Sequence, residues 1–368
     1  MNVLLVPDSF KGCLSSQEVC KALAAGINKA DRSINIMQFP SSDGGEGFCD
    51  CMQNIFGGER IEKRVTFPLG NKGKASFLFV PYYNIAYIEL ASCAGLSLVP
   101  PRKRNIMAGT TYGLGELILA AAEYGARKIV VGLGGSATND CGFGMLSALG
   151  VRFYDDKHDL LPPITSSLLK VVSFDIGEMI NLSHIQFYAA CDVSNPLYGE
   201  HGAAKVFARQ KGATDEQIEQ LDKAGEFFAA LLGFDATREG CGAAGGVGFA
   251  MMCGLDATYK SGASYLLKSD AFHDALCKAD LIITGEGNTD AQTAYGKLVG
   301  SVVNIARMNR IPSIVISGGL SDGYEKILDL GAKACYSLVD ETFDKEYCML
   351  HASEMLSQKI YEIFQSMI

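Results

Sequence analysis

The chain is short of positive charge. Lys and Arg number 32 against 41 Asp and Glu, which leaves a net charge of −9 and a pI near 5.2. That deficit argues against a reader of phosphate backbones, which needs a basic face, so no nucleic-acid partner is expected. The one basic run, Arg102-Lys103-Arg104 after Pro100-Pro101, reads as a solvated turn. A small anionic substrate stays compatible, because one or two well-placed cations suffice for it. Proline is scarce too, 10 of 368, so the 41 glycines are not linker composition. They gather in particular turns. No Cys-x-x-Cys pair joins any of the 12 cysteines, the nearest being Cys49-x-Cys51, and a zinc knuckle or redox dithiol is excluded. Thiols in a reducing cytosol are the expectation. No apolar run approaches the roughly 18 residues of a membrane span, and Val3 to Val6 is too short for a signal h-region. A cytoplasmic protein with no membrane partner is expected.

Several signatures are also missing. There is no Gly-x4-Gly-Lys-Ser/Thr, no His-Glu-x-x-His, no Gly-x-Ser-x-Gly and no protein-kinase catalytic loop. P-loop NTPases, zincins, α/β-hydrolases and protein kinases are thereby set aside. No fixed-period repeat is present.

What the chain does hold is a series of glycine-rich turns behind short apolar runs. Val3 to Val6 is wholly apolar, as a strand buried on both faces of a parallel sheet is, and leads into Pro7-Asp8-Ser9-Phe10-Lys11-Gly12. Ser15-x-x-Glu18 then opens a helix as a capping box. Ile34 to Phe39 reads as a second strand and delivers Ser42-Asp43-Gly44-Gly45-Glu46-Gly47. Arg60 to Phe67, Ala75 to Val80 and Ala86 to Leu90 read as antiparallel strands, and Thr110 to Tyr124 as a helix. Lys128 to Val131 is a strand ending in the turn Gly132 to Gly144. Ile185 to Ala190 leads into Cys191-Asp192-Val193-Ser194-Asn195-Pro196. A second glycine cluster, Gly240 to Gly246, follows a helix capped by Thr214-x-x-Gln217 and Gly233. Leu281 to Thr284 ends in Gly285-Glu286-Gly287-Asn288-Thr289-Asp290, ahead of the strands at 313–316 and 335–338.

Two β-α units cannot cover both faces of a parallel sheet. The matching β-α-β-α-β texture of the tail therefore implies one Rossmann- or flavodoxin-like α/β domain built from residues 1–60 and 275–368. A mixed α/β domain, 61–274, is inserted between them. The expected active site lies in the cleft between the two.

The turn at 132–144 admits two chemistries. Gly132-x-Gly134-x-x-Ala137 with Asp155 further on satisfies a dinucleotide fingerprint and would suit an NAD-dependent hydroxy-acid dehydrogenase. The polar Thr138-Asn139-Asp140 stands where a Rossmann helix would already pack apolar residues. Repetition decides: Asp8, Asp43, Glu46, Asp140, Asp192, Glu286 and Asp290 all lie in or beside glycine turns behind predicted strands. Several carboxylates suit Mg²⁺ shared with phosphate oxygens and a general base for a hydroxyl. Each alone reads equally well as a helix cap or a self-bonded turn. Lys11, Lys211 and Lys297 adjoin glycines, as cations reaching for phosphate or carboxylate would.

Taken together, PDSFKG at 7–12, DGGEG at 43–47, GLGGSATND at 132–140, CDVSNPL at 191–197, GAA and QKGA within 202–213, GAAGG at 242–246 and TGEGNTDAQT at 284–293 resemble the type I glycerate kinases. The chain departs from their pattern at Cys141, usually Gly, and at Arg209, usually Pro. The resemblance implies a cytoplasmic kinase that uses ATP and Mg²⁺ to phosphorylate D-glycerate, with 2-phosphoglycerate favoured over 3-phosphoglycerate as product. It implies roles as well. Gly134, Gly135, Ser136, Thr138, Asn139 and Asp140 would cradle the nucleotide phosphates. Asp8, Ser9, Lys11, Asp43, Gly44, Gly45 and Glu46 would bind glycerate. Glu286 and Asp290 would hold the metal, and Asp192, Lys11 and Lys211 would be catalytic.

Overall fold

A computed structural model describes the chain except residues 11, 42–43, 46, 295–297 and 368, and gives backbone alone at 263–265 and 367. The chain divides into two compact units, residues 1–42 with 263–368, and residues 43–262.

The unit made from the two chain ends holds a five-stranded sheet, all parallel, in the order Ala334–Ser337, Ser313–Ser317, Leu281–Thr284, Asn2–Leu5, Asn35–Gln38. Val3, Leu4, Leu5 and Val6 are fully buried, which is why the amino-terminal strand carries no polar alternation. The succession is the flavodoxin-like one, and strand order reverses between Asn2–Leu5 and Leu281–Thr284. The Ser15 capping box forms, with the Glu18 amide donating to Ser15 Oγ at 3.3 Å and the Ser15 amide to Glu18 Oε2 at 2.8 Å. The helix it starts, Ser16–Ala30, packs on the carboxyl-terminal helix Ala352–Met367. Val19, Leu23, Ile27, Leu356, Ile360 and Phe364 share one core with the sheet.

The second unit is built on a six-stranded mixed sheet. Thr258–Lys260, Gln186–Ala190, Lys128–Gly132 and Ile85–Glu89 run parallel, while Lys72–Val80 and Glu59–Thr66 complete it antiparallel. Helices Tyr112–Glu123, Phe143–Ala148, Asp215–Leu232 and Ala243–Leu255 contribute to the large core around Ile88, Val131, Phe143, Phe228 and Phe249. Boundaries differ from the expected 60 and 274. Helix Phe48–Phe56 packs on strands Lys72–Val80 and Ile85–Glu89 of the mixed sheet, so the first division falls after Ser42. Among the described residues no helix is long and apolar enough to cross a membrane.

Candidate active site

Parallel strands end together, and here their carboxyl ends collect the polar turns. In the mixed sheet, Lys128–Gly132 lies beside Gln186–Ala190 with Gly132 in register with Ala190. The turn of Gly132 to Gly144 and the segment Cys191–Asp192 therefore leave adjacent strands on the same edge. The Gly44-Gly45 backbone comes to that edge as well. The Gly134 amide donates to Gly44 O at 2.9 Å, and a Cβ on Gly134 would stand 2.3 Å from Gly45 Cα. Gly134 is thus bare for backbone packing, and its amide is engaged within the protein.

The same holds for much of the turn. Leu133, Ala137 and Cys141 amides donate to Ala190, Ala94 and Gly245 carbonyls, and the Thr138 amide to Ser136 Oγ at 3.1 Å. Among the described residues, the Gly135, Ser136 and Asn139 amides donate to no protein acceptor, and these suit an anion. Asn139 is buried, 2% exposed, and its Oδ1 has no protein donor. An acceptor there meets a hydroxyl or a water, not a phosphate oxygen.

Asp140 is fully buried. Its Oδ2 accepts from the Thr111 amide at 2.9 Å, Thr111 Oγ1 at 2.8 Å and the Gly144 amide at 3.0 Å, while Oδ1 accepts from the Gly142 amide at 3.1 Å. Burial raises its pKa, and those four bonds oppose the rise. The carboxylate ties the start of helix Phe143–Ala148 to the residue before helix Tyr112–Glu123. In this way it positions the turn. Asp140→Asn, which sets an amide hydrogen against donors, is expected to cost about 2 kcal/mol of stability by chemical denaturation. Cys141, also buried, adopts φ +50°. That left-handed backbone costs a non-glycine residue about 1–2 kcal/mol, which accounts for glycine as the alternative at this position.

Lys211 comes from far along the chain to the same turn. It is 3% exposed, and Nζ donates to Thr138 O at 2.6 Å and lies 3.4 Å from Ser136 Oγ. Burial pushes its pKa down to about 8, with the neighbouring Asp140 opposing. Arg209 lies apart from this group, its guanidinium paired with Asp215 at the exposed start of helix Asp215–Leu232. Asp192 is exposed at the strand end, its Oδ1 accepting from the Gly262 amide at 3.1 Å.

In the other unit, Asp8 and Glu286 follow the two strands that flank the reversal of strand order, where open α/β sheets bind ligands. The Asp8 amide donates to Gly285 O at 2.8 Å. Asp8 Oδ1 accepts from the Ser9 amide at 2.7 Å and Ser41 Oγ at 3.2 Å. Glu286 Oε1 accepts from Thr293 Oγ1 at 2.6 Å, and Asp290 Oδ1 from the Gln292 and Thr293 amides at 2.8 and 3.3 Å. Glu286 and Asp290 are thereby bridged through Thr293. Their donor set is all oxygen, which fits a hard cation; Mg²⁺ takes one or two carboxylates and completes its shell with phosphate and water. Among the described residues no cluster of three or more His, Cys, Asp or Glu forms a cage, so the protein alone supplies only part of such a shell. Lys11, Asp43, Glu46 and Lys297 lie outside the described residues.

The sequence reading missed Glu89 and read Asp155 only as the acid of a dinucleotide fingerprint. Glu89, closing strand Ile85–Glu89, accepts from the Cys49 amide at 3.3 Å and so caps helix Phe48–Phe56, whose own cap is Gly47. Burial raises the Glu89 pKa and the Cys49 and Gly47 amides counter it. An acid directly ending an apolar strand was the available signal. Asp155, the acid of the dinucleotide fingerprint, accepts from the Lys157 and Asp159 amides in a hairpin turn at 3.0 and 2.9 Å. It is occupied by its own turn, as Asp in such turns commonly is.

Residues 3–368 match the model of the glycerate kinase family. The chain is 39% identical to the glycerate kinase of Bacillus cereus over 99% of its length and 98% of the relative's. It is 36% identical to the glycerate 2-kinase of Escherichia coli, covering 94% of each. A crystal structure of a "putative glycerate kinase 2" from Salmonella typhimurium superposes with a TM-score of 0.83 at 36% identity, over 100% of this chain and 98% of that one.

Proposed function

The chain belongs to the glycerate kinase family, and on that premise we propose that it transfers the ATP γ-phosphoryl group to the 2-hydroxyl of D-glycerate, giving 2-phosphoglycerate and ADP. The observation that carries the reading is Lys211 buried against Thr138 O and Ser136 Oγ, beside amides with no protein acceptor among the described residues, in the turn after strand Lys128–Gly132, whose neighbour Gln186–Ala190 leads into Asp192. That combination supplies anion binding, a cation and a base. The choice of the 2-position is supported by the relative named a glycerate 2-kinase.

In this reading the Gly135, Ser136 and Asn139 amides bind the nucleotide phosphates, with Gly134, Thr138 and Asp140 holding the turn in shape. Asp8, Ser9 and Lys11 take the glycerate carboxylate, and Asp43 to Glu46 with Gly44 and Gly45 place its hydroxyls. Asp192 accepts the hydroxyl proton as the oxygen bonds to the γ-phosphorus and the bond to the ADP oxygen breaks. Lys211 stabilises charge on the transferred group. Glu286 and Asp290 would hold Mg²⁺, which when bound neutralises phosphate charge. The absence of disulfides among the described residues suits the cytoplasm, where we place the reaction.

The deciding assay follows ADP release from ATP with D-glycerate, and in parallel couples the product through enolase with no mutase present. Signal in both is expected. ADP without enolase signal means 3-phosphoglycerate, and no ADP overturns the kinase reading for this substrate.

A further inference from the structure

Resting on the reading of Asp192 as the base, we infer that Tyr259 is a positioning residue that holds the Asp192 loop in its reactive place. Three successive residues of that loop are each tied to the one segment Tyr259–Gly262. The Cys191 amide donates to Lys260 O at 3.0 Å. The Gly262 amide donates to Asp192 Oδ1 at 3.1 Å. The Tyr259 hydroxyl donates to Val193 O at 3.1 Å. In the first two the segment takes part through its backbone: the first continues the parallel pairing of Gln186–Ala190 with Thr258–Lys260, and the second meets the Asp192 carboxylate itself. The third is the side-chain tie, and it closes the loop on the far side of Asp192.

The second glycine cluster serves the same end. Gly240, at φ +81°, stands where an added Cβ would come within 2.3 Å of the Tyr259 ring. The ring thus packs against bare backbone, which restricts the direction in which its hydroxyl points. Gly242 in turn donates its amide to Asn195 O at 2.8 Å, so the cluster also holds the end of the Asp192 loop. Burial first, then the charges at Cys191 and Asp192, hold the phenol above its ordinary pKa, so the hydroxyl remains a donor. Neither the Tyr259 hydroxyl's bond to Val193 O nor its ring's approach to Gly240 is a contact with a reacting atom. Tyr259 acts through Asp192.

Tyr259→Phe removes the hydroxyl and keeps the ring that fills the space over Gly240. Its kcat is expected to fall roughly tenfold or more, since small displacements of a catalytic group cost that much, while KM for ATP and for D-glycerate stays near wild type. The decisive readout is a double-mutant cycle: in an Asp192→Asn background, Tyr259→Phe is expected to lower kcat no further. A full multiplicative loss in that background would mean a general structural role and overturn the inference. So would unchanged kcat in the single variant, or a Tyr259→Phe chain that fails to fold by circular dichroism. Near-normal kcat in Asp192→Asn alone removes the base reading instead, and the two failures are therefore told apart.

Discussion

Asp192→Asn is expected to lower kcat about a thousandfold, the middle of the range for loss of a general base, with KM for ATP and D-glycerate changed by no more than about twofold. The substitution isolates proton acceptance. Asparagine presents the same Oδ1 to the Gly262 amide, the bond that Asp192 makes at 3.1 Å, so the loop keeps its anchor. The side chain is exposed at the end of a parallel strand, so the isosteric change leaves no cavity and the melting temperature should stay close to wild type. A kcat within a few-fold of wild type takes Asp192 out of the base's role. A comparable loss in KM would mean that the carboxylate binds substrate rather than activating it. Steady-state kinetics with each substrate varied against saturating partner separates the three outcomes.

The parts of this chain that were legible in the sequence are those written locally. Ser15 with Glu18 and Thr214 with Gln217 form their capping boxes as spaced, and the unbroken apolar run at Val3 to Val6 lies in the parallel sheet. The antiparallel strands before residue 90 were readable as successive strand signals with no helix between them, and two of the three do pair antiparallel throughout. The third, Ile85–Glu89, pairs antiparallel on one side and parallel with Lys128–Gly132 on the other, a join that no local pattern announces.

What depended on distant backbone was illegible. Gly132 and Gly134 looked bare for the sake of an anion, yet Gly44 and the Phe48 ring press on the first and Gly44 and Gly45 on the second. Asp140 looked like a ligand to phosphate or metal, yet Thr111, 29 positions earlier, claims its carboxylate. Helix Phe48–Phe56 looked like part of the first β-α-β-α run and instead joins the mixed sheet through Glu89 and its packing on two strands. In each case the residue type was informative about chemistry, while the partner that decides its use sits far away in sequence.

Lys211 is the residue on which pH dependence should turn. Its Nζ is held within a buried turn, donating to Thr138 O at 2.6 Å, and burial brings its pKa to about 8 in the free protein. It is mainly charged at pH 7 and loses the proton as pH rises through about 8. Because kcat/KM reports the free enzyme, kcat/KM for ATP should decline along an alkaline limb centred there. Bound phosphate places negative charge beside the ammonium and favours its charged form, so the limb in kcat should lie at higher pH. Lys211→Met keeps a long apolar stem and removes the charge. Its kcat/KM is expected to fall roughly a hundredfold to a thousandfold, in line with loss of one preorganised donor to developing oxyanion charge, and the limb near pH 8 should vanish. Stability supplies an independent sign. The folded pKa lies below the ordinary lysine value of 10.5, so between about 8 and 10.5 the unfolded chain binds more protons at this residue than the folded one. Wild type should therefore gain stability relative to Lys211→Met as pH rises through that window, while its activity declines. An alkaline limb that persists in Lys211→Met would assign the titration to another group.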